Sequence, residues 1–172
     1  MTPRRTGPPP SADVPPGVVV HFDGACQPPR GGGVATYGFT VEGALEHEGR
    51  GLAVRPGAPH ATNNVAEYVG AICALEWLVA AGYAGPVELI GDSQLVIEQT
   101  SGRYAVHAPH LAAYRDRLTQ LGHQFADLRL RWVPREENRR ADELSKVALE
   151  EALSSGTVPA PRSTQRRSTR SR

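Results

Sequence analysis

The chain lacks the features that mark membrane, secreted and disulfide-stapled proteins. Its 172 residues include only two cysteines, Cys26 and Cys73, which form neither a CxxC pair nor a disulfide framework. No apolar run approaches the ~18 residues of a membrane span. The N-terminal residues 1–16 contain arginine and proline but no apolar core of a secretory signal. We therefore expect a cytoplasmic protein with two free thiols and no membrane partner.

Several common ligand-binding motifs are also missing. The triple glycine at 31–33 has neither the spacing nor the following lysine of a phosphate-binding loop. His107 and His110 are separated by a proline and have no cysteine near them in sequence, which argues against a zinc site. We expect no small-molecule organic cofactor.

Charge is unevenly distributed along the chain. The formal net charge is +1, but residues 155–172 hold five arginines and no acid, and residues 1–16 hold two arginines and one aspartate, so residues 17–154 carry −5. Both termini lack hydrophobic periodicity, which predicts a disordered Pro-rich N-terminus (1–16), one folded domain (17–154) and a disordered basic tail (155–172). A net negative charge on the folded domain indicates clustered acids that bind cations, and it argues against a protein that simply coats nucleic acid.

The folded part has the pattern of an α/β protein. Strands are predicted at 17–23, 34–42, 45–54, 86–91 and 127–133, and helices at 63–82, 93–100, 109–121 and about 138–152. The first three strands follow one another directly and predict an antiparallel meander, whereas the last two are reached through helices and should add in parallel. We expect a five-stranded mixed sheet flanked by helices.

Apolar periodicity within these elements predicts the core. The stripe of the first long helix consists of Val65, Val69, Ile72, Leu75 and Val79. The two tryptophans, Trp77 and Trp132, lie within apolar patterns, so we assign both to the core rather than to base stacking.

Four acids stand at distinctive points of this pattern. Asp23 and Asp92 follow apolar strand runs, while Glu67 and Asp142 lie near the starts of helices. Each has a structural explanation by itself: a turn aspartate for the first two, a capping box from Asn64 for Glu67, and the helix dipole for Asp142. Acids from separate elements converge on one point only where positive charge is present, and Mg²⁺ prefers such oxygen ligands while leaving room for a substrate phosphate.

The surrounding segments carry a family resemblance. VVVHFDGAC, ATNNVAEYVGAICALE, GDSQLV and VPREENRRADELS resemble, in order, the four motif blocks of the type 1 ribonuclease H family, across about residues 17–150. The last block resembles the branch with VPRE and no basic, Trp-rich handle. The resemblance implies a ribonuclease H-like fold that binds RNA/DNA hybrids and hydrolyses the RNA strand, leaving 5′-phosphate and 3′-hydroxyl ends.

The resemblance also implies roles for individual residues. Asp23, Glu67, Asp92 and Asp142 would be the catalytic acids that hold two Mg²⁺ (or Mn²⁺) ions when substrate is bound. A hybrid exposes its 2′-hydroxyls in a wide, shallow minor groove. The family positions that read them correspond to Gly24, Ala25, Cys26, Asn63, Asn64 and Gln94. Thr62 stands where the family places a hydroxyl that contacts a DNA phosphate. The alternative for the two asparagines is a helix-capping role, which is compatible with binding.

The sequence departs from the family pattern at three places. The histidine that often precedes the last acid is absent, and Arg135 is the nearest match. An arginine does not shuttle protons at neutral pH but can hold a phosphate or the departing strand; the alternative is a plain surface arginine. QPPRGGG replaces the usual Asn-Pro-Gly after the first acid. The segment after the third acid is short and not basic, so the arginine-rich tail either substitutes for the handle through phosphate attraction or is simply solvated.

Two other functions remain as alternatives. One is a nuclease of the same fold that cuts DNA junctions or trims RNA, against which the NN–E and VPREEN…AD blocks argue. The other is a non-catalytic hybrid-binding module, which would be expected to lose at least one of the four acids. No obvious apolar patch suggests a dimer, so we expect a monomer.

Overall fold

The computed structural model describes residues 17–156. The predicted disordered N-terminus (1–16) and all but the first two residues of the predicted basic tail lie outside this range, so the predicted domain boundaries stay predictions. Within the described range, no helix is both long and apolar enough to cross a lipid bilayer.

Between residues 17 and 156, the fold consists of five strands and four helices. The strands are β1 (Val18–Gln27), β2 (Val34–Gly43), β3 (His47–Leu52), β4 (Val87–Gly91) and β5 (Leu128–Trp132). The helices are α1 (Asn63–Ala80), α2 (Gln94–Thr100), α3 (Pro109–Gly122) and α4 (Arg139–Ser154). A single 3-10 turn, Arg135–Glu137, connects β5 to α4. The predicted type and order of these elements are confirmed, while the 3-10 turn was not predicted.

The strands form one mixed sheet in the order β3-β2-β1-β4-β5. β1 pairs antiparallel with β2, and β2 with β3, because short connections let each strand turn back on its neighbour. β4 pairs parallel with β1, and β5 with β4, because helices carry the chain back across the sheet between them. The predicted mixed sheet of five strands flanked by helices is confirmed.

The side chains of β2 point alternately to the two faces of the sheet, which identifies the helix on each face. The ring of Phe39 belongs to the main core with α1, whereas the Thr36 hydroxyl donates to a backbone carbonyl of α4. Because successive residues of a strand point to opposite faces, α1 and α4 cover opposite sides of the sheet. The main core lies on the α1 side and is formed by residues including Val20, Phe22, Leu75, Leu78 and Leu89.

Two of the sequence-based assignments to the core are wrong. Val79 is 39% exposed, because the buried face of α1 runs instead through Ala71, Leu75 and Leu78. Trp132 is 46% exposed, because it ends the edge strand β5, where no further strand covers it. Trp77 is half-buried, and its ring stacks on the imidazole of His47 at a centroid distance of 4.2 Å.

Glycines allow both helices to lie directly on the central strands. A Cβ atom at Gly24 of β1 would lie 2.3 Å from the backbone nitrogen of Glu67 in α1. A Cβ atom at Gly38 of β2 would lie 2.5 Å from the backbone nitrogen of Ser145 in α4. Gly38 is also the cross-strand partner of Asp23. These two close approaches place α1 over Gly24 and α4 over the cross-strand partner of Asp23, so both helices lie next to the Asp23–Gly24 segment of β1.

Candidate metal centre

Three of the four predicted acids meet at this point. One carboxylate oxygen from each of Asp23, Glu67 and Asp92 lies within 4.8 Å of the other two. Asp23 and Glu67 are 1% and 3% exposed, and the Asp92 side chain is 8% exposed. Three carboxylates this close and this dry repel one another, so the cluster needs either bound cations or protons.

The sheet and α1 together deliver these acids. Asp23 lies inside β1, which continues to Gln27, so the expectation that it ends a strand is wrong. It is the first residue of β1 beyond the pairing with β4, and Asp92 directly follows the end of β4. Glu67 lies in the second turn of α1, where that helix crosses β1 at Gly24. The cluster therefore forms where one parallel strand stops and its neighbour continues.

The fourth acid stands beside this cluster. Asp142 lies in the first turn of α4, and its side chain is 16% exposed. Its Oδ2 accepts a hydrogen bond from Lys146 Nζ at 2.6 Å. Its charge still acts on Asp23, whose pKa it helps to raise. Asp142 is thus close enough to influence the centre but is paired with a lysine rather than with the other three acids.

Burial changes the protonation of the two least exposed acids. Loss of solvation raises the pKa of Asp23 to about 7, the negative charges of Asp92 and Asp142 add to this, and a hydrogen bond from Ser145 opposes it. Burial, with the charges of Asp23 and Asp92, raises the pKa of Glu67 well above its ordinary value. A cation-free centre therefore retains protons near neutral pH, and a bound cation would replace them.

The oxygen atoms of the cluster fit a hard divalent cation. Among the described residues, Asp23 Oδ1, Glu67 Oε2 and Asp92 Oδ2 are buried and accept no hydrogen bond. Buried carboxylate oxygens without partners are unfavourable unless an ion binds them. A set made only of carboxylates suits Mg²⁺ or Mn²⁺ better than zinc, which favours histidine and cysteine ligands.

Arg135 and Trp132 border the centre on the β5 side. Arg135 Nε lies 3.5 Å from Asp92 Oδ2, and its side chain is 72% exposed. The negative charge of Asp92 raises the pKa of Arg135, which therefore stays cationic. Trp132 Nε1 donates to the backbone carbonyl of Asp92 at 3.1 Å, which ties β5 to the loop after β4.

Two buried polar residues of α4, its N-cap Asn138 and Ser145 in its second turn, were not identified from the sequence. Ser145 Oγ lies 2.5 Å from Asp23 Oδ2, and Asn138 Nδ2 donates to the Phe22 carbonyl at 2.8 Å. Both side chains are essentially inaccessible to solvent. Ser145 occupies the buried stripe of α4 that also contains Leu144 and Ala148, so a polar residue at an apolar helix position was the available signal.

All of the predicted substrate residues except Gln94 lie at the junction of β1 and α1. Gly24 is buried, and Ala25 and Cys26 are half-buried, near the end of β1. The Cys26 thiol donates to the Ala61 carbonyl at 3.2 Å, and burial raises its pKa, so it is a neutral thiol. Asn63 N donates to the carbonyl of Pro29, which holds the loop after β1 against the start of α1.

The start of α1 differs from the predicted capping box. Thr62 is the N-cap residue, and its Oγ1 accepts from Val65 N at 3.3 Å, so the interpretation of Asn64 and Glu67 as a capping box is wrong. Asn63 is half-buried and Asn64 exposed in the first turn. Gln94 is exposed at the start of α2, two residues after Asp92. These amide groups therefore lie in the first turns of α1 and α2, the helix that carries Glu67 and the helix that follows Asp92.

Both cysteines, Cys26 and Cys73, are free, which confirms the expectation of two unpaired thiols.

Comparison with known proteins gives sequence relatives over most of the chain. Residues 22–148 match the family described as reverse transcriptase-like. A bifunctional protein of Mycobacterium tuberculosis is 38% identical over 144 residues, which is 83% of this chain and 38% of that protein. A ribonuclease HI of Halobacterium salinarum is 39% identical over 139 residues, covering 78% of this chain and 65% of the relative. The chain thus spans less than two thirds of the length of these curated relatives.

Solved structures share the fold. The crystal structure of the ribonuclease H1 of Halobacterium salinarum has a TM-score of 0.68 at 38% identity, covering 79% of this chain and 99% of that one. LC11 ribonuclease H1, crystallised in complex with an RNA/DNA hybrid, has a TM-score of 0.69 at 31% identity, with coverage of 79% and 99%.

Proposed function

We propose that this chain, which belongs to the ribonuclease H family, is an endoribonuclease that hydrolyses the RNA strand of RNA/DNA hybrids. The observation that carries this proposal is the group of three buried carboxylates within 4.8 Å, each with an oxygen free of hydrogen bonds. The similarity to a ribonuclease H1 crystallised with a hybrid supports the choice of substrate.

The four acids would hold the metal cofactor. Bound Mg²⁺ or Mn²⁺, two ions in the presence of substrate, would lower the pKa of the attacking water and stabilise charge on the scissile phosphate and departing oxygen. Asp23, Glu67 and Asp92 would contribute oxygens that accept no hydrogen bond, the one on Asp92 lying 3.5 Å from Arg135 Nε. Asp142 contributes a more exposed carboxylate, which would exchange its ion pair with Lys146 for the cofactor. The expected products carry 5′-phosphate and 3′-hydroxyl ends.

Arg135 would act on the substrate rather than as a proton donor. Its guanidinium remains charged, and its exposed side chain borders Asp92. A permanent cation at this edge can hold a phosphate of the RNA strand through paired N–H groups. We therefore propose that Arg135 assists catalysis by holding the scissile region.

Hybrid recognition would use the junction of β1 and α1 together with the start of α2. The proposed 2′-hydroxyl and minor-groove contacts are Gly24, Ala25, Cys26, Asn63, Asn64 and Gln94. Amide and backbone groups can both donate to and accept from a 2′-hydroxyl, which DNA lacks. The Thr62 hydroxyl accepts from the α1 backbone, so its proton remains available to a DNA phosphate.

The proposal extends to a monomeric enzyme of the cytoplasm that needs no organic cofactor. The two free thiols suit a reducing compartment. The folded domain would occupy residues 17–154, in the branch with VPRE and no basic handle, and the arginine-rich residues 155–172 would add affinity for phosphates.

A cleavage assay on a labelled RNA/DNA hybrid tests this function. We expect Mg²⁺- or Mn²⁺-dependent cuts in the RNA strand that EDTA abolishes, with the DNA strand left intact. Duplex DNA of the same sequence is the matched control substrate. Cleavage of duplex DNA at the rate of the hybrid would instead support a junction-cutting or trimming nuclease of the same fold, and hybrid binding without cleavage would support a binding module.

A further inference from the structure

Helix α4 brings a buried hydroxyl into contact with Asp23 of the acidic cluster. Ser145 is 0% exposed, and its Oγ lies 2.5 Å from Asp23 Oδ2 and 2.9 Å from the backbone carbonyl oxygen of Asp142. A serine hydroxyl has one proton to donate. An ionised carboxylate is a stronger acceptor than a backbone carbonyl, so the proton goes to Asp23 whenever that acid is charged.

The two oxygens of Asp23 consequently differ. Oδ2 is bound to the Ser145 hydroxyl, whereas Oδ1 is buried and has no hydrogen-bond partner among the described residues. Glu67 and Asp92 each present one oxygen in the same condition. The hydrogen bond from Ser145 thus occupies Oδ2 of Asp23, and Oδ1 remains free to bind a ligand.

The backbone holds the hydroxyl in place from the sheet side. The Ser145 carbonyl accepts a buried hydrogen bond from Thr36 Oγ1 at 2.8 Å. The backbone nitrogen of Ser145 lies so close to Gly38 that no side chain would fit between α4 and β2. At the start of the helix, Asn138 is hydrogen-bonded to the carbonyl that precedes Asp23. Helix, strand and carboxylate therefore form one rigid unit.

We propose that Ser145 is a positioning residue of the metal centre: its hydroxyl fixes the Asp23 carboxylate, so that Oδ1 and the free oxygens of Glu67 and Asp92 would be presented together to a cation. This inference rests on the proposed metal-dependent function. With the hydroxyl present, the Asp23 carboxylate is held in one orientation and would offer its unbonded Oδ1 to a cation. Without it, the carboxylate can rotate about its terminal bond, and Oδ2 is left buried and unpaired. Groups that orient metal ligands in this way typically contribute about 10–100-fold to metal affinity.

Matched variants separate positioning from simple structural support. Ser145→Ala removes the hydrogen bond to Asp23, and Thr36→Val removes the neighbouring buried hydrogen bond to the Ser145 backbone. Both variants should lower the midpoint of thermal unfolding. We expect calorimetric titration of the full chain with Mn²⁺, without nucleic acid, to give a dissociation constant about tenfold higher for Ser145→Ala. The Thr36→Val constant should stay within about twofold of the wild-type value, because that change leaves Asp23 and its partner in place.

The outcomes distinguish this inference from the proposed function. Equal Mn²⁺ dissociation constants for wild type and Ser145→Ala would overturn the positioning role, even if the enzyme cleaves hybrids. A wild-type chain that binds Mn²⁺ more tightly than Ser145→Ala but leaves hybrids intact would overturn the nuclease and retain the positioning role. A wild-type chain that binds no Mn²⁺ would overturn both.

A second measurement uses the wild-type protein alone, so it does not depend on whether Ser145→Ala folds. The buried Ser145 hydroxyl proton of the wild-type protein should exchange slowly enough to be observed by proton NMR. We expect its resonance to shift on titration with Mg²⁺, because the cation withdraws charge from the carboxylate that accepts the bond. A resonance unaffected by saturating Mg²⁺ would contradict the proposal.

Discussion

Arg135 and Asp92 form an ion pair at the edge of the acidic cluster, with Nε 3.5 Å from Oδ2. That distance is long for a hydrogen bond, and the carboxylate oxygen is otherwise unpartnered. The arginine is largely exposed while the aspartate is almost fully buried. The pair therefore joins an exposed cation to a buried carboxylate. In the proposed enzyme, a substrate phosphate would compete for the arginine and the metal would compete for the aspartate.

Replacing Arg135 should weaken the handling of substrate without changing proton transfer. We expect Arg135→Ala to raise KM for the hybrid several-fold and to lower kcat by a smaller factor, with an unchanged pH profile of kcat, because the guanidinium does not titrate in this range. Steady-state cleavage between pH 6 and 9 measures both. Arg129→Ala is the matched control, since Arg129 is an exposed arginine of β5 paired with Asp127. A shifted pH profile for Arg135→Ala would contradict this role.

Asp92→Asn should abolish cleavage while preserving the fold. The change keeps the shape of the side chain and the backbone carbonyl that accepts from Trp132, but it removes the charge that a divalent cation needs. We expect cleavage at the background level and hybrid affinity within about threefold of wild type, because most affinity for nucleic acids comes from phosphate contacts. Single-turnover cleavage and a fluorescence binding assay measure the two effects.

The control for this variant is Asp116→Asn, which neutralises an acid with a 68% exposed side chain on α3. It should retain wild-type turnover. Wild-type turnover by Asp92→Asn itself would be incompatible with a metal-dependent mechanism at this site.

Gly24→Ala should destabilise the protein and impair the centre together. The new Cβ would lie 2.3 Å from Glu67 N and 2.5 Å from the Ala66 carbonyl carbon, so α1 must move away from β1. Overpacking of this kind typically costs about 1–3 kcal/mol, and the shift would also displace the Glu67 carboxylate. Urea unfolding and Mn²⁺ titration measure the two consequences.

Gly82→Ala provides the comparison, because Gly82 has a φ of +75° but nothing within 4 Å of the added atom. This variant should lose stability through backbone strain alone, about 1 kcal/mol, with unchanged Mn²⁺ affinity. An unchanged Mn²⁺ affinity in Gly24→Ala as well would show that the α1–β1 contact does not position Glu67.

Residue patterns were sufficient to predict the elements and their order. Alternating and continuous apolar runs identified the strands, and the lengths of the connections distinguished antiparallel from parallel pairing. The four acids were recognisable because each lies inside a family-like block, after an apolar strand run or near the start of a helix pattern. Local patterns did not predict burial correctly where it depends on residues distant in sequence. Trp132 lies within an apolar pattern, but it is exposed because it ends the edge strand β5.

The contacts that hold the acids in place were beyond local patterns. Asp23 and Ser145 are 122 residues apart in sequence, and their contact depends on α4 lying directly over Gly38. Thr62 rather than Asn64 caps α1. The cap lies where the backbone changes from extended to helical, and the loop after β1 fixes that point through its hydrogen bond with Asn63 N. Such three-dimensional constraints leave only weak traces in the sequence, such as a serine within a buried helix stripe.

The cation-free protein should become less stable as pH rises towards neutrality. Burial raises the pKa of Asp23 from 3.8 to about 7 and that of Glu67 in the same direction, so the folded state favours their protonated forms. The stabilisation is therefore fully present below the unfolded-state pKa near 4 and is lost as pH increases through about 7. For Asp23, we expect a loss on the order of 2–4 kcal/mol in the free energy of unfolding.

Urea unfolding in EDTA at pH 5 and pH 8 measures this loss, and Asp23→Asn is the control that isolates it. His21, whose pKa burial lowers, contributes a slope of the opposite sign in both proteins, so the wild-type loss must be compared with that of the variant. We expect the variant to lose less stability between the two pH values than wild type does. Saturating Mg²⁺ should restore wild-type stability at pH 8, because the cation takes over the role of the lost protons. Equal pH dependence in wild type and Asp23→Asn would mean that Asp23 is already ionised in the cation-free fold at pH 5.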